Sequence, residues 1–362
     1  LTLDASALEG GVTIDGRHRN RVFEIRSKGN VNPSAKVLWV TSYLEEASAP
    51  DKGFTDLLKA AGHEVTRWLS RDDPTAMDVA TLNAADLIII ARSVSSSHFE
   101  EEDRLWNTKI TSPILNMSGY TVRSTQLGWT GARQMLDSIG PVALRRLVEE
   151  HPVFDNVVWE DGSGRELLDP YARTLEGERG ISFNRARPHN GSILATVANE
   201  ESGVFAAPAL VEYPAGTIVQ YNDLLAGPRM IFLAGSGESE DVASDTLGKY
   251  DLTDLGAQLF LNCVSYLADP AQVTLKGVTI SGGSSVNVSQ GGGILNRGAQ
   301  LTLSGVTVDG NAATDEGGGI YNAGVLRVSK SVIRDNHAAA GAGIFNILPL
   351  SVEDSELTGN GS

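Results

Sequence analysis

Gly291-Gly-Gly-Ile-Leu-Asn296 returns as Gly317-Gly-Gly-Ile-Tyr-Asn322, and again, slightly altered, as Gly341-Ala-Gly-Ile-Phe-Asn346. Between these hexads lie matching tracts: Leu301-Thr-Leu303…Val306-Thr-Val308…Asn311, Leu326-Arg-Val328…Ile333…Asn336, and Leu350-Ser-Val352…Leu357…Asn360. An earlier copy, Val273-Thr-Leu275…Val278-Thr-Ile280, lacks the glycine opening. Short alternating apolar tracts at a period below about 30 residues, broken by Gly and Asn, point to a solenoid of stacked coils. No helical periodicity runs through them. The expected fold of 271–362 is a parallel β-helix with repeats of 24–28 residues.

Within such a coil, alternation sends Leu301, Leu303, Val306 and Val308 inward. Glycine permits sharp corners, through positive φ. Asn296, Asn322 and Asn346 then share one corner, and Asn311, Asn336 and Asn360 a second. Stacked side-chain amides can bond up such columns. These asparagines are expected to be structural ladders.

Composition narrows the possible partners. The chain has 362 residues and a formal net charge of −16, which argues against nucleic acid or an anionic membrane. A single cysteine, Cys263, precludes an intramolecular disulfide framework. No apolar run is long enough to span a bilayer. The chain opens on Leu1 without a signal peptide and stops at Ser362 in mid-repeat, so a fragment of a longer protein is expected.

The middle of the chain reads differently. Val37-Leu-Trp-Val40 is a buried strand, and Phe54-Thr-Asp-Leu-Leu-Lys-Ala-Ala61 an amphipathic helix stopped by Gly62. Glu64-Val-Thr-Arg-Trp68, Ala85-Asp-Leu-Ile-Ile-Ile90, Pro113-Ile-Leu-Asn116 and Arg229-Met-Ile-Phe-Leu233 read as further strands. Helices are expected over 99–107 and 255–267, the latter burying Leu255, Leu259, Cys263 and Tyr266. This alternation predicts a doubly wound, flavodoxin-like α/β domain.

Segment 36–268 resembles the class I glutamine-amidotransferase-like fold, near its ThuA-related branch. The likeness rests on the opening strand with its Gly62-His-Glu-Val exit, the strand over 86–90, and Pro113-Ile-Leu-Asn-Met-Ser118. Segments 1–25 and 271–362 resemble bacterial right-handed parallel β-helix repeat proteins of the cell surface, the pectin-lyase-like superfold. Leu1-Thr-Leu-Asp-Ala-Ser6…Val12-Thr-Ile-Asp-Gly16…Arg21-Val-Phe-Glu-Ile25 is similar to a stretch that in such proteins leads straight into one like Val273–Gly282. The expected organisation is therefore a first coil or coils over 1–33, an inserted α/β domain over 36–268, and β-helix repeats over 271–362. The expected fold class is a right-handed all-β solenoid interrupted by a doubly wound domain. Neighbouring loop ends tolerate an insertion of this kind.

The amidotransferase resemblance implies a cysteine nucleophile after a central strand, with a downstream histidine and glutamate. Ser118 stands at the cysteine position, in Asn116-Met-Ser-Gly-Tyr120. Where His and Glu are implied, the chain has Ala234-Gly-Ser-Gly-Glu-Ser-Glu240, without histidine. A serine without a base is a poor nucleophile, and Glu238 is a weak base for a hydroxyl. The catalytic apparatus is read as lost.

Open α/β sheets place ligands beyond the carboxyl ends of their strands. That rule selects Thr41, Ser42, Tyr43, Arg92, Ser93, Ser95, Ser118, Tyr120, Ser236 and Glu238. Hydroxyls, an aromatic face and a carboxylate suit a sugar or polyol, although an ordinary polar rim would read the same. His98 beside Glu100, Glu101, Glu102 and Asp103 is better read as a helix start than a metal site. His151-Pro-Val-Phe154 reads as packing or a turn. No metal or cofactor is expected.

Two functional classes stay open. One is a non-enzymatic secreted or cell-surface bacterial protein, a β-helix scaffold displaying a degenerate domain that binds carbohydrate or another protein. The other is a polysaccharide lyase or hydrolase of the β-helix superfold, or a hydrolase using Ser118.

Overall fold

The structure, a computed structural model, describes residues 1–8, 12–17, 20–26, 34–100, 104–138, 142–148, 151–158, 166–167, 170–172, 180–198, 207–235, 247–268, 272–284, 288–347 and 350–362. Two compact units result: Leu1–Lys28 with Pro270–Ser362, and Gly29–Asp269. The segments 27–33 and 269–271, at the expected domain boundaries, lie outside the described residues.

In the first unit, equivalent residues of successive repeats lie side by side in parallel strands. Val273, Leu301, Leu326 and Leu350 form one such row, Ile294, Ile320 and Ile344 another, and Ile280, Val308, Ile333 and Leu357 a third. The amino-terminal strands Thr2–Asp4, Val12–Asp15 and Phe23–Arg26 join the same sheets, pairing with Gln272–Lys276, Val278–Ser281 and Ile294–Ser304. Leu301, Leu303, Val306, Val308, Ile320, Leu326 and Ile333 are fully buried and form the unit's core. Each hexad opens on a glycine with positive φ, and a Cβ on Gly317 would sit 2.5 Å from the Ile320 carbonyl oxygen. Only glycine fits that corner.

Asparagine amides tie the repeats together. Asn296 Nδ2 donates to Asn322 Oδ1 (2.7 Å), and Asn322 Nδ2 donates to Asn346 Oδ1 (2.8 Å). In the second column Asn311 Nδ2 donates to Asn336 Oδ1 (3.0 Å), and Asn336 Nδ2 to Asn360 Oδ1 (2.9 Å). Each buried amide thus has its partner one repeat away, as burial of a polar group requires.

The expected fold class needs correction. Among the described residues the chain is of α/β type, with parallel sheets and four α-helices, and no all-β solenoid is formed. The repeat strands build two open parallel sheets, of seven and five strands. Where a closed right-handed β-helix coil would carry a further sheet, the described residues give only single bridges, such as Gln290↔Glu316 and Ala312↔His337. The reason is local: Asn311-Ala-Ala313 and Gly317-Gly-Gly319 lack the β-branched and aromatic residues that favour a strand.

The second unit is also not simply doubly wound. Its nine-stranded sheet runs in the order Glu166–Leu167, Ala143–Arg146, Ser192–Ala198, Pro208–Tyr213, Arg229–Phe232, Ile114–Asn116, Leu87–Ile90, Lys36–Thr41 and Glu64–Leu69. The last five are mutually parallel, and the first four join by antiparallel pairing. The helices are α1 (Lys52–Ala60), α2 (Ala76–Asn83), α3 (Arg104–Thr108) and α4 (Asp254–Ala268). No helix follows Ile114–Asn116, because Gly119, Gly128 and Gly131 interrupt the next stretch with turns. Beyond those turns, antiparallel strands extend the sheet.

Fully buried Arg229 ties α3 to this sheet. Its Nη2 donates to the carbonyl oxygens of Trp106 (2.9 Å) and Ile110 (2.5 Å), and its Nη1 to that of Ser112 (3.0 Å). On α4, Cys263 is fully buried, and burial raises its thiol pKa far above the ordinary range. It is a core residue with an inert thiol.

Candidate functional site

The parallel strands end at an edge where the order of connection reverses between Lys36–Thr41 and Leu87–Ile90, the usual place for a ligand crevice. Here that place is filled from within. Asp51, fully buried just before α1, accepts hydrogen bonds from Trp39 Nε1 (3.0 Å), Thr41 Oγ1 (2.7 Å) and Ser93 Oγ (3.2 Å). Its other carboxylate oxygen pairs with Arg67 Nη2, while Arg67 Nε donates to the Tyr43 carbonyl oxygen (2.8 Å). Thr41 Oγ1 and Ser93 Oγ lie 2.9 Å apart, and Ser42 Oγ donates to the Ser93 carbonyl oxygen (2.7 Å). Thr41 and Ser93, both expected to face a ligand, are therefore buried in a network around Asp51. Ser42 stays on the exposed side, and Tyr43 is half-buried.

Ser118 lies in the turn after Ile114–Asn116 and is 0 % exposed. Its Oγ has no hydrogen-bond partner, and neither does Asn116 Nδ2. The turn is held by other atoms. Asn116 Oδ1 accepts from Ser118 N (2.9 Å) and Thr121 Oγ1 (2.9 Å), and Thr121 Oγ1 also reaches the Ser118 carbonyl oxygen (3.0 Å). Ser118 does not adopt positive φ, and no helix begins after it. A nucleophile on a strand-to-helix elbow needs a sharp strained turn, an oxyanion pocket and a bonded base. The described residues around Ser118 supply no bonded base and no elbow.

One turn further on, Tyr120 is half-buried beneath two cations. The Arg92 guanidinium lies 4.7 Å and that of Arg123 5.4 Å from its ring centroid. Arg123 Nε donates to the Tyr120 carbonyl oxygen (2.9 Å), and its Nη2 to Ser96 Oγ (3.0 Å). Arg92 is mostly buried and its Nη2 donates to Ser182 Oγ (3.5 Å). Exposed Ser95 sits beside them, with its Oγ 2.7 Å from Ser97 Oγ. Arg92, Ser95 and Tyr120 thus share one edge with Arg123, Ser96 and Ser182, which the sequence reasoning did not select. Ser236 and Glu238 lie outside the described residues, as do Glu101, Glu102 and Asp103.

The remaining candidates are internal. His98 Nδ1 lies 2.9 Å from Ser70 Oγ, and the described residues contain no group of His, Cys, Asp and Glu suited to a metal. His151 Nε2 lies 3.3 Å from Glu212 Oε2, and the other Glu212 oxygen accepts from the Tyr266 hydroxyl. This buried triad joins the Pro152–Phe154 turn to α4, whose Asn262 Nδ2 donates to the Val153 carbonyl oxygen (2.9 Å). Among the described residues no helix is long and apolar enough to cross a membrane.

No family model and no curated relative matches the chain. Among solved structures it is similar to a protein described as ThuA-like from Bacteroides uniformis, with a TM-score of 0.36 and 11% identity. The match covers 68% of this chain and 91% of that one.

Proposed function

We propose that the Gly29–Asp269 unit is a non-catalytic binding module for a carbohydrate, in a protein that works at the bacterial cell surface or outside the cell. The observation that carries the non-catalytic half is the state of Ser118: buried, bonded to no base, and in a turn without elbow geometry. Without an activating partner its hydroxyl is not a nucleophile at neutral pH. The binding half is supported by the rim that remains once Asp51 has closed the crevice. Ser42, Ser95, Ser96, Tyr120 and Arg123 offer hydroxyls, an aromatic ring and a guanidinium fork on one edge. Those groups match a polyol's ring and hydroxyls. The net charge of −16 agrees with a protein kept soluble outside the cell.

The test is calorimetric titration of the intact chain with a panel of neutral and acidic oligosaccharides, run beside an assay for new reducing ends. Saturable binding without product is expected, and Ser118→Ala should change neither result. Product release that disappears in Ser118→Ala would overturn the reading and restore a hydrolase.

A further inference from the structure

We infer that Tyr221 is a stacking platform for a neutral pyranose ring, so that a saccharide held by this unit lays one sugar face on the tip of the hairpin over 214–226. The inference rests on the carbohydrate-binding reading above and adds where a ring stacks and that the ring is uncharged.

The turn that carries Tyr221 is strained. Tyr221 and Asn222 are the central residues between Gln220 and Asp223, and both take positive φ, 63° and 61°. Ile218 and Leu224 bridge in antiparallel fashion beneath them, so the hairpin is closed by a turn of the primed kind. Asn-Gly serves such a turn without strain, whereas a bulky aromatic residue at positive φ is an outlier. Strain of this sort persists only where the surroundings over-determine it, and it gathers at sites that hold ligands.

The hairpin is held against two tracts, 120–131 and 182–190, that the fold stitches together. His189 N donates to the Trp129 carbonyl oxygen (2.8 Å), and Asn184 Nδ2 to Thr130 Oγ1 (2.8 Å). The Tyr221 hydroxyl donates to the Ser124 carbonyl oxygen (2.9 Å), and Gln220 N to that of Gly128 (3.1 Å). Asn190 Nδ2 donates to the Ile218 carbonyl oxygen (2.7 Å). A Cβ on Gly128 would sit 2.8 Å from Gln220 Cβ, which shows how closely the hairpin packs there. The Tyr221 ring is thus fixed at both ends, by its backbone and by its hydroxyl, yet it is 46% exposed. A tyrosine kept for packing would be buried. A rigid, displayed ring offers contact area to a ligand with little entropy left to lose.

The neighbouring chemistry selects a neutral sugar. Residues 214–222 contain no charged side chain. Asp223, which follows, is buried, where it accepts from Asn107 Nδ2 (3.2 Å) and pairs with Arg104 (3.7 Å). The tip therefore offers an ionic ligand no counter-charge of its own. What it offers is an apolar shelf of Ile218, Tyr221 and Leu224, each about half exposed, beside the amide of exposed Asn222. Thr125, next to Ser124, donates through Oγ1 to Gln126 Oε1 (2.8 Å) and so keeps acceptor capacity. A pyranose with equatorial hydroxyls pairs an apolar C–H face with a rim of hydroxyls, which matches an aromatic surface carrying a few polar groups.

The experiment titrates the full chain with cellotetraose, mannotetraose and galactotetraose, all neutral, while the sugar C–H protons are followed by NMR. Binding is expected with those protons shifted upfield by the ring current of a stacked aromatic. Tyr221→Ala should abolish the shift and weaken binding about tenfold, the loss typical of a buried aromatic anchor. Tyr221→Phe, which keeps the ring but not its hydroxyl tether, should weaken binding less. Tyr221→Asn combined with Asn222→Gly, the pair an unstrained turn prefers, should raise the melting temperature and still abolish the shift. Thermal melts establish that each variant is folded. Equal affinity of the wild-type and Tyr221→Ala chains for a bound tetrasaccharide would overturn this inference and leave the carbohydrate-binding reading standing. A mannuronic acid tetrasaccharide that binds more tightly than mannotetraose would overturn the neutral ring. A chain that sediments as a dimer, and as a monomer after Tyr221→Ala, would overturn the inference and give the shelf to a second copy. Failure of every saccharide to bind would remove the inference and the binding reading together.

Discussion

Thr41 Oγ1 donates to Asp51 Oδ2 across 2.7 Å, and neither residue is exposed. The bond belongs to a set in which one carboxylate receives Trp39, Thr41 and Ser93 and pairs with Arg67. Asp51→Ala would strand a buried guanidinium and three donors. The expected cost is about 3–5 kcal/mol, the range for breaking one side of a buried ion pair. Urea unfolding would show it as a lower midpoint with an unchanged slope. Asp51→Ala combined with Arg67→Met should recover part of the loss, since the orphaned charge is then gone.

Ser118 and Thr121 face opposite outcomes although they share one turn. Ser118 Oγ bonds to nothing, so Ser118→Ala removes a buried hydroxyl that has no partner and should be neutral or mildly stabilising. Thr121 Oγ1 bonds to Asn116 Oδ1 and to the Ser118 carbonyl oxygen, so Thr121→Ala should cost about 1–2 kcal/mol. Denaturant unfolding of the two variants side by side reads the contrast. A Ser118→Ala loss as large as that of Thr121→Ala would mean the hydroxyl has a partner after all.

The repeats were the most legible part of the chain, because a fixed period carries its own register. The spacing that aligns Ile294, Ile320 and Ile344 in the sequence is the spacing that pairs them in the sheet. What the period did not carry was closure of a coil, since the tracts around Ala312 and Gly318 pair only at single bridges. In the second unit, Leu87–Ile90 was legible as a continuous apolar run. The antiparallel strands Ser192–Ala198 and Pro208–Tyr213 were not, because a strand's direction leaves no mark on its own composition. Asp51 escaped notice for a similar reason. A lone aspartate before a helix reads as an N-cap, yet its side chain makes no cap bond and turns to Trp39, Thr41 and Ser93 instead. Arg123 and Ser182 are 59 residues apart in sequence, and only the stitching of the two tracts shows them to be near one edge.

Asn322 receives a side-chain bond from Asn296 and gives one to Asn346, besides donating to the Gly324 carbonyl oxygen (2.6 Å). Asn322→Ala therefore leaves neighbours on both sides incomplete within a buried column. A loss of about 2–4 kcal/mol in the repeat unit is expected, from more than one unsatisfied buried group. Asn346, which is exposed, should cost well under half as much when changed to alanine. Thermal unfolding of the two variants would order them, and equal losses would show the column to be energetically uniform.

His63 gives the second unit a pH dependence with a defined sign. Its buried ring accepts a hydrogen bond from Ala35 N (3.4 Å) at Nδ1, and burial lowers its pKa below the ordinary imidazole value. Near pH 6.5 and below, the unfolded chain takes up a proton that the folded ring resists. Stability from this residue is therefore complete above about pH 6.5 and declines as pH falls beneath it, at no more than about 1.4 kcal/mol per pH unit. A ring-proton titration by NMR should place His63 below 6.5; a midpoint at that value would abolish the dependence and one above it would reverse the sign.

Gly119 sits between Ser118 and Tyr120, where the turn passes closest to the Ser182–Phe183 strand. A Cβ there would lie 2.4 Å from the Ser182 carbonyl oxygen and 2.6 Å from Met135 Cε. The methionine tip can move, but the carbonyl belongs to a backbone paired with Leu136–Asp137. Gly119→Ala must therefore push the strand off the turn, at an expected cost of about 1–3 kcal/mol for overpacking. The displacement acts on function as well as stability, because Ser182 Oγ is what Arg92 Nη2 reaches from the strand edge. Faster amide exchange over 181–184, with weaker carbohydrate binding than the wild-type chain, is the expected pair of results. Exchange that rises while affinity holds would separate the strand from the arginine rim and confine the rim to Tyr120 and Arg123.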